Sequence, residues 1–312
     1  MTTQQLWHTN AQTELREVPF SLHEGSLTVK ARYSMISQGT EKLVSKAGVP
    51  TALQESMKVP YMLGSFQLPI HYGYAMVGEV ISGPETWVGK DIHCMHPHAS
   101  TFQVKPDSVI ELSPSLGPEK ALIGNIETAI NAIWDSRIKD RDKVLISGLG
   151  SIGTLVGALA QKLYDISIYF IEPIERRSAW AKAEGWKPYD NRSVDIAFHT
   201  TGSSTGLQTA IEAIGMEGKV IELSWYGNRE VNLRLGGTFH TMRKQIISSQ
   251  VSTIPSHMQA EWDYAKRRKW AADLSAELSL PNPELISLAK AADWFNGDWQ
   301  TEAAFILIDY SL

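Results

Sequence analysis

Cysteine is almost absent from this sequence. Cys94 is the only one among 312 residues. One thiol cannot form an intrachain disulfide, and it cannot supply a site that needs several thiolates, such as a four-cysteine structural zinc site. Counting alone therefore excludes a disulfide framework and a multi-thiolate metal centre.

The chain also lacks long apolar runs and long blocks of basic residues. No apolar run approaches the ~20 residues that span a bilayer, and the first twenty residues have neither the basic start nor the apolar stretch of a secretory signal. Lys and Arg total 29 against 34 Asp and Glu, for a net charge of −5, and no basic block could follow a phosphate backbone. We therefore expect a cytoplasmic protein that binds neither membrane nor nucleic acid.

Two domains are expected, because 312 residues exceed the size at which one hydrophobic core usually stops growing. The first third is predicted to be β-rich, with short alternating or β-branched runs. Residues 45–69 show the hydrophobic period of neither a strand nor a helix. We interpret them as a long surface loop that is either a lid or a tolerated insertion. The predicted strands of the first third are 27–34, 71–82, 91–95 and 101–105.

From residue 118 the pattern changes to alternating helix and strand. Such alternation predicts a parallel sheet covered by helices on both faces. The predicted strands are 143–147, 167–171, 194–199, 218–224 and 245–249, and the helices between them are 151–163, 175–184 and 205–214. Further predicted elements are helices around 257–276 and 284–295 and a last strand at 303–309.

A glycine-rich turn joins the first of these strands to its helix. Gly148, Gly150 and Gly153 have the GxGxxG spacing, in which the glycines permit the tight turn, backbone approach to a pyrophosphate and close helix packing, respectively. Backbone N–H groups of the helix N-terminus, at Ser151 and Ile152, are expected to face the phosphates. A glycine turn can also serve packing alone, but the order of strand, turn and helix favours a dinucleotide site.

Glu172 ends the next predicted strand, 24 positions after Gly148. This separation is near that of the acid that binds the ribose hydroxyls, and the charge favours NAD because a 2′-phosphate would meet a like charge. Arg176 and Arg177 leave NADP open, since arginines at this place can hold a 2′-phosphate; their alternative is a solvated helical turn. A methyltransferase that binds S-adenosylmethionine could share the loop and the acid but would not explain the β-rich first third.

The chain resembles the medium-chain dehydrogenase/reductase superfamily, which includes the zinc-type alcohol dehydrogenases, in residues 36–41, 73–80 and 194–202 as well as in the glycine turn. More narrowly, it is similar to a zinc-free bacterial subgroup that is itself similar to the bacteriochlorophyllide hydroxyethyl dehydrogenases. The resemblance implies an α/β fold with a GroES-like β-rich catalytic domain and a Rossmann domain with a doubly wound parallel sheet. The implied boundaries are 1–117 for the catalytic domain, 118–255 for the Rossmann domain and 256–312 for a segment returning to the catalytic domain.

The catalytic zinc ligands of the superfamily are missing. Gln38 stands where the resemblance places a first cysteine ligand, Tyr74 where it places a histidine, and Gly124 near the third ligand. Residues 93–98 hold Cys94 and three histidines, but Pro97 interrupts this run, and histidines in half-buried strands are more often packing residues. No metal is expected.

Without zinc, hydroxyl and carboxyl groups must polarise a substrate carbonyl or accept an alcohol proton. By the resemblance, Thr40 matches a proton-relay hydroxyl, Tyr74 could donate a hydrogen bond to the substrate oxygen, and Glu41 takes the place of an acid behind the metal ligands. Glu127 could face the cleft, where burial would raise its pKa. The structural alternatives are a turn and helix cap for Thr40 and Glu41, packing for Tyr74, and an arginine or amide partner for Glu127.

Four residues follow strands that are predicted to end beside the nicotinamide. Thr201 and Gly202 follow one strand, and Ser224 and Trp225 follow the next. Ligands bind at the carboxyl ends of parallel strands in such sheets. Some of the ten tryptophans, Trp225 among them, could wall a flat apolar pocket; filling of the core or of an interface is the alternative.

The sequence therefore predicts a zinc-independent oxidoreductase that transfers a hydride between NAD, or NADP, and an alcohol/carbonyl or activated-alkene small-molecule substrate. The resemblance places this reaction in a cleft between the two domains and implies a homodimer formed around residues 225–235. The alternative is a non-catalytic dinucleotide-binding sensor or scaffold that kept the Rossmann unit and lost the zinc ligands.

Overall fold

The computed structural model describes residues 2–20, 22–112, 117–298 and 301–312. The chain divides into two compact units. Unit 1 is Met1–Gly124, Pro283–Thr301 and Phe305–Leu312, and unit 2 is Asn125–Asn282 and Glu302–Ala304.

The helices and strands are numbered in chain order. The strands are β1 (Thr2–His8), β2 (Thr13–Pro19), β3 (Leu27–Met35), β4 (Leu63–Gly64), β5 (Ile70–His71), β6 (Met76–Ser82), β7 (Asp91–Cys94), β8 (Thr101–Val104), β9 (Val109–Glu111), β10 (Lys143–Ser147), β11 (Ser167–Ile171), β12 (Lys187–Pro188), β13 (Val194–His199), β14 (Ile214–Glu222), β15 (Gln245–Ser248), β16 (Glu284–Ile286) and β17 (Ile306–Asp309). The α-helices are α1 (Gln38–Ser45), α2 (Ile123–Ser136), α3 (Ser151–Leu163), α4 (Glu175–Ala183), α5 (Ser204–Ala213), α6 (Thr238–Thr241), α7 (Tyr264–Ser275) and α8 (Leu288–Asn296). Within the described residues, no helix has both the length and the apolar character that crossing a membrane requires.

Unit 2 is built on a six-stranded sheet in the order β12-β11-β10-β13-β14-β15. Every neighbouring pair in this sheet is parallel. The strand order reverses between β10 and β13, because the chain leaves β10 on one side and returns on the other for β13. Right-handed crossovers then place α3 and α4 on one face and α5 on the opposite face. The predicted parallel sheet with alternating helices is confirmed.

The central strands of this sheet are apolar along their length because helices cover both faces. Val144, Leu145 and Ile146 of β10 and Ala197 and Phe198 of β13 are fully buried. Burial of one large aliphatic side chain contributes about 1.5–3 kcal/mol relative to exposure. β10, α3, β11 and β13 have the bounds that the sequence predicts, since their apolar runs are long and the glycine turn marks where strand gives way to helix.

Unit 1 contains two sheets. The larger has the order β16-β17-β3-β6-β7-β9, with β8 also paired to β3, and the smaller has the order β2-β1-β5-β4. Leu27, Val29 and Ala31 alternate along β3 and lie in the core of the larger sheet. β17 pairs antiparallel with β3, and α8 packs its buried residues against β17 and β1.

Residues 256–282 lie in unit 2, whereas the sequence placed them in a segment that returns to the first domain. Polar contacts hold them there: Lys162 of α3 lies 3.0 Å from Glu277, and Ser279 donates to Glu184 at 2.8 Å. The chain re-enters unit 1 at Pro283. Residues 113–116, next to the predicted boundary at 117, lie outside the described residues.

Two predicted elements of unit 1 are wrong in their bounds. The strand at 71–82 is divided into β5 and β6, since Gly73 between them has φ +137°. The helix at 284–295 begins instead with β16, which pairs with β17. Ser287 then caps α8 by accepting a hydrogen bond from the Lys290 N–H, so the helix starts only after that residue.

Two further differences from the sequence prediction concern a helix of unit 2 and a hairpin of unit 1. The helix expected around 257–276 is limited to α7, because Asp263 caps it by accepting a hydrogen bond from the Lys266 N–H. The hairpin of β1 and β2, which is antiparallel over its full length, was not predicted.

Candidate active site

Gly148, Gly150 and Gly153 form the turn between β10 and α3. Gly148 has φ +95°, a conformation that other residues rarely adopt. A Cβ on Gly153 would lie 1.9 Å from the Gly148 carbonyl oxygen, so helix and strand approach too closely for a side chain. A Cβ on Gly150 would meet nothing within 4 Å, so the surface in front of the helix is open. This geometry fits a phosphate-binding turn.

The N-terminus of α3 begins at that open surface. Its N-cap residue is Gly150, which has no side chain with which to cap the helix, so the first backbone N–H groups remain for a ligand. Ser151 and Ile152 provide the first of these groups, and both residues are half-buried. The Ser151 Oγ donates to the Ala304 carbonyl oxygen at 2.7 Å. The Ser151 side chain is thereby held away from the place where a ligand would meet the backbone N–H groups.

Glu172 follows β11, and its side chain is 4% exposed. Its carboxylate accepts hydrogen bonds from the N–H groups of Leu149 at 2.7 Å and Ile174 at 2.9 Å. Leu149 belongs to the glycine turn, so Glu172 holds that turn in place. The contact of Glu172 with a ribose stays a prediction.

The two arginines beyond β11 differ in their surroundings. Arg176 is exposed, as in the solvated-turn interpretation. Arg177 donates to the carbonyl oxygens of Glu302 at 3.3 Å and Ala303 at 2.9 Å, and its guanidinium lies 3.8 Å from Glu172. Burial lowers the pKa of Arg177, and the charge of Glu172 opposes that change. Arg177 is therefore bound to the 302–304 segment and does not form part of a solvated turn.

A hydrogen-bonded network joins the carboxyl ends of β13 and β14. His199 Nδ1 lies 2.8 Å from the Glu222 carboxylate, and its Nε2 lies 2.6 Å from Thr201 Oγ1. His199 and Glu222 end their strands opposite each other in the parallel register. The Gly202 N–H donates to Ser224 Oγ at 3.0 Å. Thr201, Gly202 and Ser224, which were predicted from their places after the strands, thus lie in one network.

Sequence reasoning missed the centre of that network. His199 is the last residue of one predicted strand and Glu222 lies inside the next, 218–224, and the two residues are 23 positions apart. The signal that could have found them is their shared place, since the carboxyl ends of adjacent parallel strands meet at one edge of a sheet.

Tryptophans fill the core in part of unit 2. The Trp262 ring is tilted against those of Trp134 and Trp270, with ring centroids 5.2 and 5.0 Å away, and Trp134 and Trp270 stack on each other at 6.3 Å. Trp225, which follows β14, is half-buried. For the buried Trp134 the structure therefore supports the alternative of core filling, whereas Trp262 is half-buried.

Two of the predicted catalytic residues meet in unit 1. The Tyr74 hydroxyl donates to Ser37 Oγ and is also hydrogen-bonded to Thr40. Burial raises the pKa of the Tyr74 phenol above its ordinary value of 10.0, while the hydrogen bonds with Ser37 and Thr40 oppose the rise. The phenol therefore stays protonated at neutral pH and can act as a hydrogen-bond donor.

Glu41 lies behind these residues with 0% of its surface exposed. It accepts a hydrogen bond from the Ser37 N–H at 2.8 Å, and its other oxygen lies 2.9 Å from His98 Nε2. The Ser37 contact satisfies a backbone group at the start of α1, as a helix cap does. The geometry thus supports the cap alternative for Glu41, with a second role in orienting His98.

Glu127, the fourth predicted catalytic residue, lies in α2 and is buried in unit 2. Its two carboxylate oxygens lie 3.2 Å from Arg267 Nε and 3.3 Å from Arg268 Nε. Arg267 also donates to Asn131 Oδ1 at 2.8 Å. The arginines offset the cost of placing the Glu127 charge in the interior. This is the arginine partnership that the sequence left as the alternative to catalysis.

The residues at the three zinc positions do not fit zinc, which is held by Cys, His, Asp or Glu in proteins. Gln38 offers an amide, Tyr74 a phenol bonded to Ser37, and Gly124 no side chain. In the described ranges of the chain, no group of three or more His, Cys, Asp or Glu side chains could hold a metal ion. That the protein uses no catalytic metal stays a prediction.

Unit 1 instead buries several histidines side by side. The rings of His71 and His96 have centroids 6.2 Å apart, and the His71 Nδ1 lies 2.9 Å from the Leu6 carbonyl oxygen. Burial is the main cause that lowers the pKa of His8 and His71 to about 3 and that of His96 to about 4. These histidines are therefore neutral at pH 7 and serve as packing residues.

Comparison with known proteins gives one sequence relative. No family model matches the chain. The 2-desacetyl-2-hydroxyethyl bacteriochlorophyllide A dehydrogenase of Rhodobacter capsulatus is 30% identical over a region that covers 43% of this chain and 44% of that protein. The matched region thus spans less than half the length of this curated relative.

Solved structures match almost the whole chain. A protein of Sinorhizobium meliloti 1021 described as a zinc-binding dehydrogenase, bound to NADP, has a TM-score of 0.78 and 16% identity over 99% of both chains. Acetophenone reductase of Geotrichum candidum NBRC 4597, in complex with NAD, has a TM-score of 0.72 and 15% identity over 99% of this chain and 97% of that one. At these identities the likeness shows the fold. The predicted fold class is confirmed: the chain has the two-domain α/β fold of these dehydrogenases, with a β-rich domain and a Rossmann domain, and the sequence relative agrees with the predicted resemblance.

Proposed function

We propose that this chain is an oxidoreductase that transfers a hydride between a nicotinamide dinucleotide and an alcohol/carbonyl or activated-alkene substrate, without a catalytic metal. The glycine turn carries the proposal. Gly153 leaves no room for a side chain and Gly150 opens the surface at the start of α3, directly after β10 at the switch point of the sheet. Two proteins of the same fold were crystallised with NADP or NAD, and the sequence relative is named as a dehydrogenase.

The sheet order sets the direction in which the dinucleotide would lie. A pyrophosphate at the turn after β10 has β11 on one side and β13 on the other. The acid at the end of β11, Glu172, marks the side of the adenosine ribose. The nicotinamide half would then lie over the carboxyl ends of β13 and β14, where Thr201, Gly202, Ser224 and Trp225 are found.

NAD is the proposed cofactor, with NADP as the alternative. The Glu172 carboxylate, which accepts hydrogen bonds from two backbone N–H groups, lies on the side proposed for the adenosine ribose. A 2′-phosphate would meet that charge. Arg176 is exposed beside this place and would favour NADP if it turned toward the phosphate.

When bound, the dinucleotide supplies the hydride or accepts it. In place of a metal, the protonated Tyr74 phenol would turn the hydrogen bond that it now donates to Ser37 Oγ toward the substrate oxygen, and the side chain of Thr40 would hold the phenol in place. Glu41 is enclosed and would act only by fixing the first turn of α1. For Glu127 the arginine pair supports a structural role.

The residues at the zinc positions also favour a second candidate, a dinucleotide-binding sensor or scaffold without turnover. Both candidates bind the cofactor, so turnover separates them. The experiment incubates the purified chain with NADH and a panel of aldehydes, ketones and enones and follows NADH absorbance. The Gly150→Val variant, which would block the turn, is the control for contaminating activity. NADH oxidation above that control supports the oxidoreductase; binding of NADH without oxidation of any of the panel supports the sensor.

We also propose that the protein is a homodimer. β15 ends the described six-stranded sheet, and Leu235, in the segment between β14 and β15, is 39% exposed. Light scattering coupled to size-exclusion chromatography tests this, with a dimer mass expected and a monomer mass at micromolar concentration contradicting it.

A further inference from the structure

We infer that Thr201, His199 and Glu222 form a proton relay in unit 2, which carries the proton that accompanies hydride transfer. This inference rests on the proposed function and adds to it. Thr201 is exposed, His199 has 0% of its side chain exposed, and Glu222 is 12% exposed. The relay therefore leads from the surface into the sheet edge.

When Glu222 is ionised and the His199 ring is neutral, the donor and the acceptor of each hydrogen bond between these residues can be assigned. A carboxylate accepts but does not donate, so His199 must carry its proton on Nδ1, 2.8 Å from Glu222. In the neutral imidazole Nε2 is then an acceptor, and Thr201 Oγ1, 2.6 Å away, donates to it. The Thr201 oxygen in turn accepts from the Ser203 N–H at 3.2 Å. The hydroxyl is thus held with its proton directed at a basic nitrogen.

Two further features set this group apart from an ordinary buried histidine. Glu222 also accepts hydrogen bonds from the Ser224 N–H at 2.7 Å and from the Tyr226 hydroxyl at 3.2 Å, which stabilise its charge. Gly206 in the first turns of α5 leaves space for the pair: a Cβ there would lie 2.4 Å from Thr201 Oγ1 and 3.0 Å from His199 Nε2. The helix therefore has no side chain where it passes the hydroxyl–imidazole contact.

The relay lies where the proposed nicotinamide half would lie. His199 ends β13, the strand next to β10 across the switch point, and Glu222 ends β14 beside it. The ionisable groups that face the relay are Tyr226 and Arg229 from the segment after β14, together with Glu222 itself. Arg229 packs against the Tyr226 ring with its guanidinium 5.7 Å from the ring centroid.

In alcohol oxidation the step balances as follows. The substrate C–H bond breaks and its hydride leaves with both electrons to the bound nicotinamide. The substrate O–H proton passes to Thr201 Oγ1 while the proton of Thr201 passes to His199 Nε2. The products are a carbonyl compound, the reduced dinucleotide and an imidazolium beside the Glu222 carboxylate; carbonyl reduction is the reverse. Thr201 is thus the proposed catalytic residue, and His199 and Glu222 are positioning residues that hold the proton.

The first test determines, without turnover, which nitrogen of His199 carries the proton. The full chain is labelled with ¹⁵N-histidine, and two-bond ¹H–¹⁵N spectra show which nitrogen of each imidazole carries the proton. The His199 signals are assigned by their loss in His199→Gln. The relay predicts a proton on Nδ1 and a bare Nε2 at pH 7.5. It also predicts that the Nε2 resonance differs between the NAD⁺ and NADH complexes, because only the oxidised nicotinamide carries a positive charge.

The second test measures NADH oxidation by 9,10-phenanthrenequinone, whose reduction consumes a hydride and a proton. Thr201→Val removes the hydroxyl and is expected to lower the rate about 10²-fold while the NADH dissociation constant changes less than threefold. Thr201→Ser restores the hydroxyl and should restore the rate. Thr205→Val is the matched control, an exposed threonine on α5 that makes no relay contact.

The outcomes separate the relay from the proposed function. A proton on Nε2, identical Nε2 resonances in the two complexes, or a Thr201→Val rate within threefold of the parent would each overturn the relay while the oxidoreductase stands. A parent chain that binds neither nucleotide, or that binds NADH but reduces neither the quinone nor any aldehyde, ketone or enone of the panel, overturns the proposed function and the relay with it.

Discussion

The carboxylate of Glu172 accepts a hydrogen bond from the Leu149 N–H at 2.7 Å, which ties the end of β11 to the glycine turn after β10. The same carboxylate accepts from the Ile174 N–H, and its side chain is almost fully enclosed. In the Rossmann units on which the sequence prediction is based, an acid at this place binds a ribose. In this chain the contact that the structure shows is with the backbone of the glycine turn.

Glu172→Ala should therefore weaken both the fold and nucleotide binding. Loss of an ionised acceptor for two backbone N–H groups is expected to lower the free energy of unfolding by about 1–3 kcal/mol and to raise the NADH dissociation constant about tenfold or more. Urea unfolding and fluorescence titration measure these two quantities. Glu175→Ala, an exposed acid three residues later that pairs with Lys182, is the control and should change neither; an unaltered NADH affinity in Glu172→Ala would contradict the role of the turn.

Gly150→Val should separate folding from binding. The added side chain finds open space, so the free energy of unfolding should fall by no more than the roughly 1 kcal/mol that a poor N-cap residue costs. The same side chain would keep a pyrophosphate from the backbone, and NADH affinity should fall about 100-fold. Gly236→Ala, at another glycine with open space, controls for the loss of a glycine; equal NADH affinity in Gly150→Val would show that the turn does not bind the dinucleotide.

The buried histidines should make unit 1 sensitive to acid. His8 and His71 have a pKa of about 3 and His96 of about 4 in the folded chain, against 6.5 when exposed. Because the folded pKa is lowered, the unfolded chain binds more protons below pH 6.5, and stability is lost as the pH falls from about 6.5 toward 4. Each histidine contributes at most about 1.4 kcal/mol per pH unit.

His71→Gln tests this acid sensitivity, since glutamine can still donate to the Leu6 carbonyl. Urea unfolding at pH 7, 6 and 5 should show a smaller loss of stability per pH unit than in the parent. His23→Gln, at an exposed position, should keep the parent's slope. Equal slopes for parent and His71→Gln would mean that His71 is not kept neutral by burial.

The metal prediction is tested on the purified protein. Gln38, Tyr74 and Gly124 cannot replace a zinc ligand set, so mass spectrometry of the metal content should find zinc far below one per chain. Dialysis against EDTA should leave any NADH-dependent activity unchanged. Zinc at one per chain, or activity lost with EDTA and restored by zinc, would contradict the proposed metal-free chemistry.

The order of strands and helices around the glycine turn could be predicted from the sequence because local signals agree there. The apolar run of β10 and the glycines before α3 each fix a boundary. In β1 the same logic fails, since its buried residues are Thr3, Leu6 and His8, which do not form an apolar stripe. The start of α8 depended on the pairing of β16 with β17, a contact between residues about twenty positions apart.

The candidate site was predictable in its positions but not in its contacts. Thr201 and Ser224 follow from their places after parallel strands, whereas the pairing of His199 with Glu222 arises from the register of β13 with β14. The arginine partners of Glu127 come from α7, 140 positions later in the chain. Such contacts depend on tertiary packing, which no local pattern encodes.

Every role proposed for the glycine turn depends on the binding of a nicotinamide dinucleotide, which one titration can measure. Energy transfer from tryptophan to the nicotinamide is followed while NADH and NADPH are added to the purified chain in parallel. Saturable binding of NADH at low micromolar concentration and weaker binding of NADPH are expected. Absence of saturable binding of either nucleotide would show that the chain is not a nicotinamide-dependent protein.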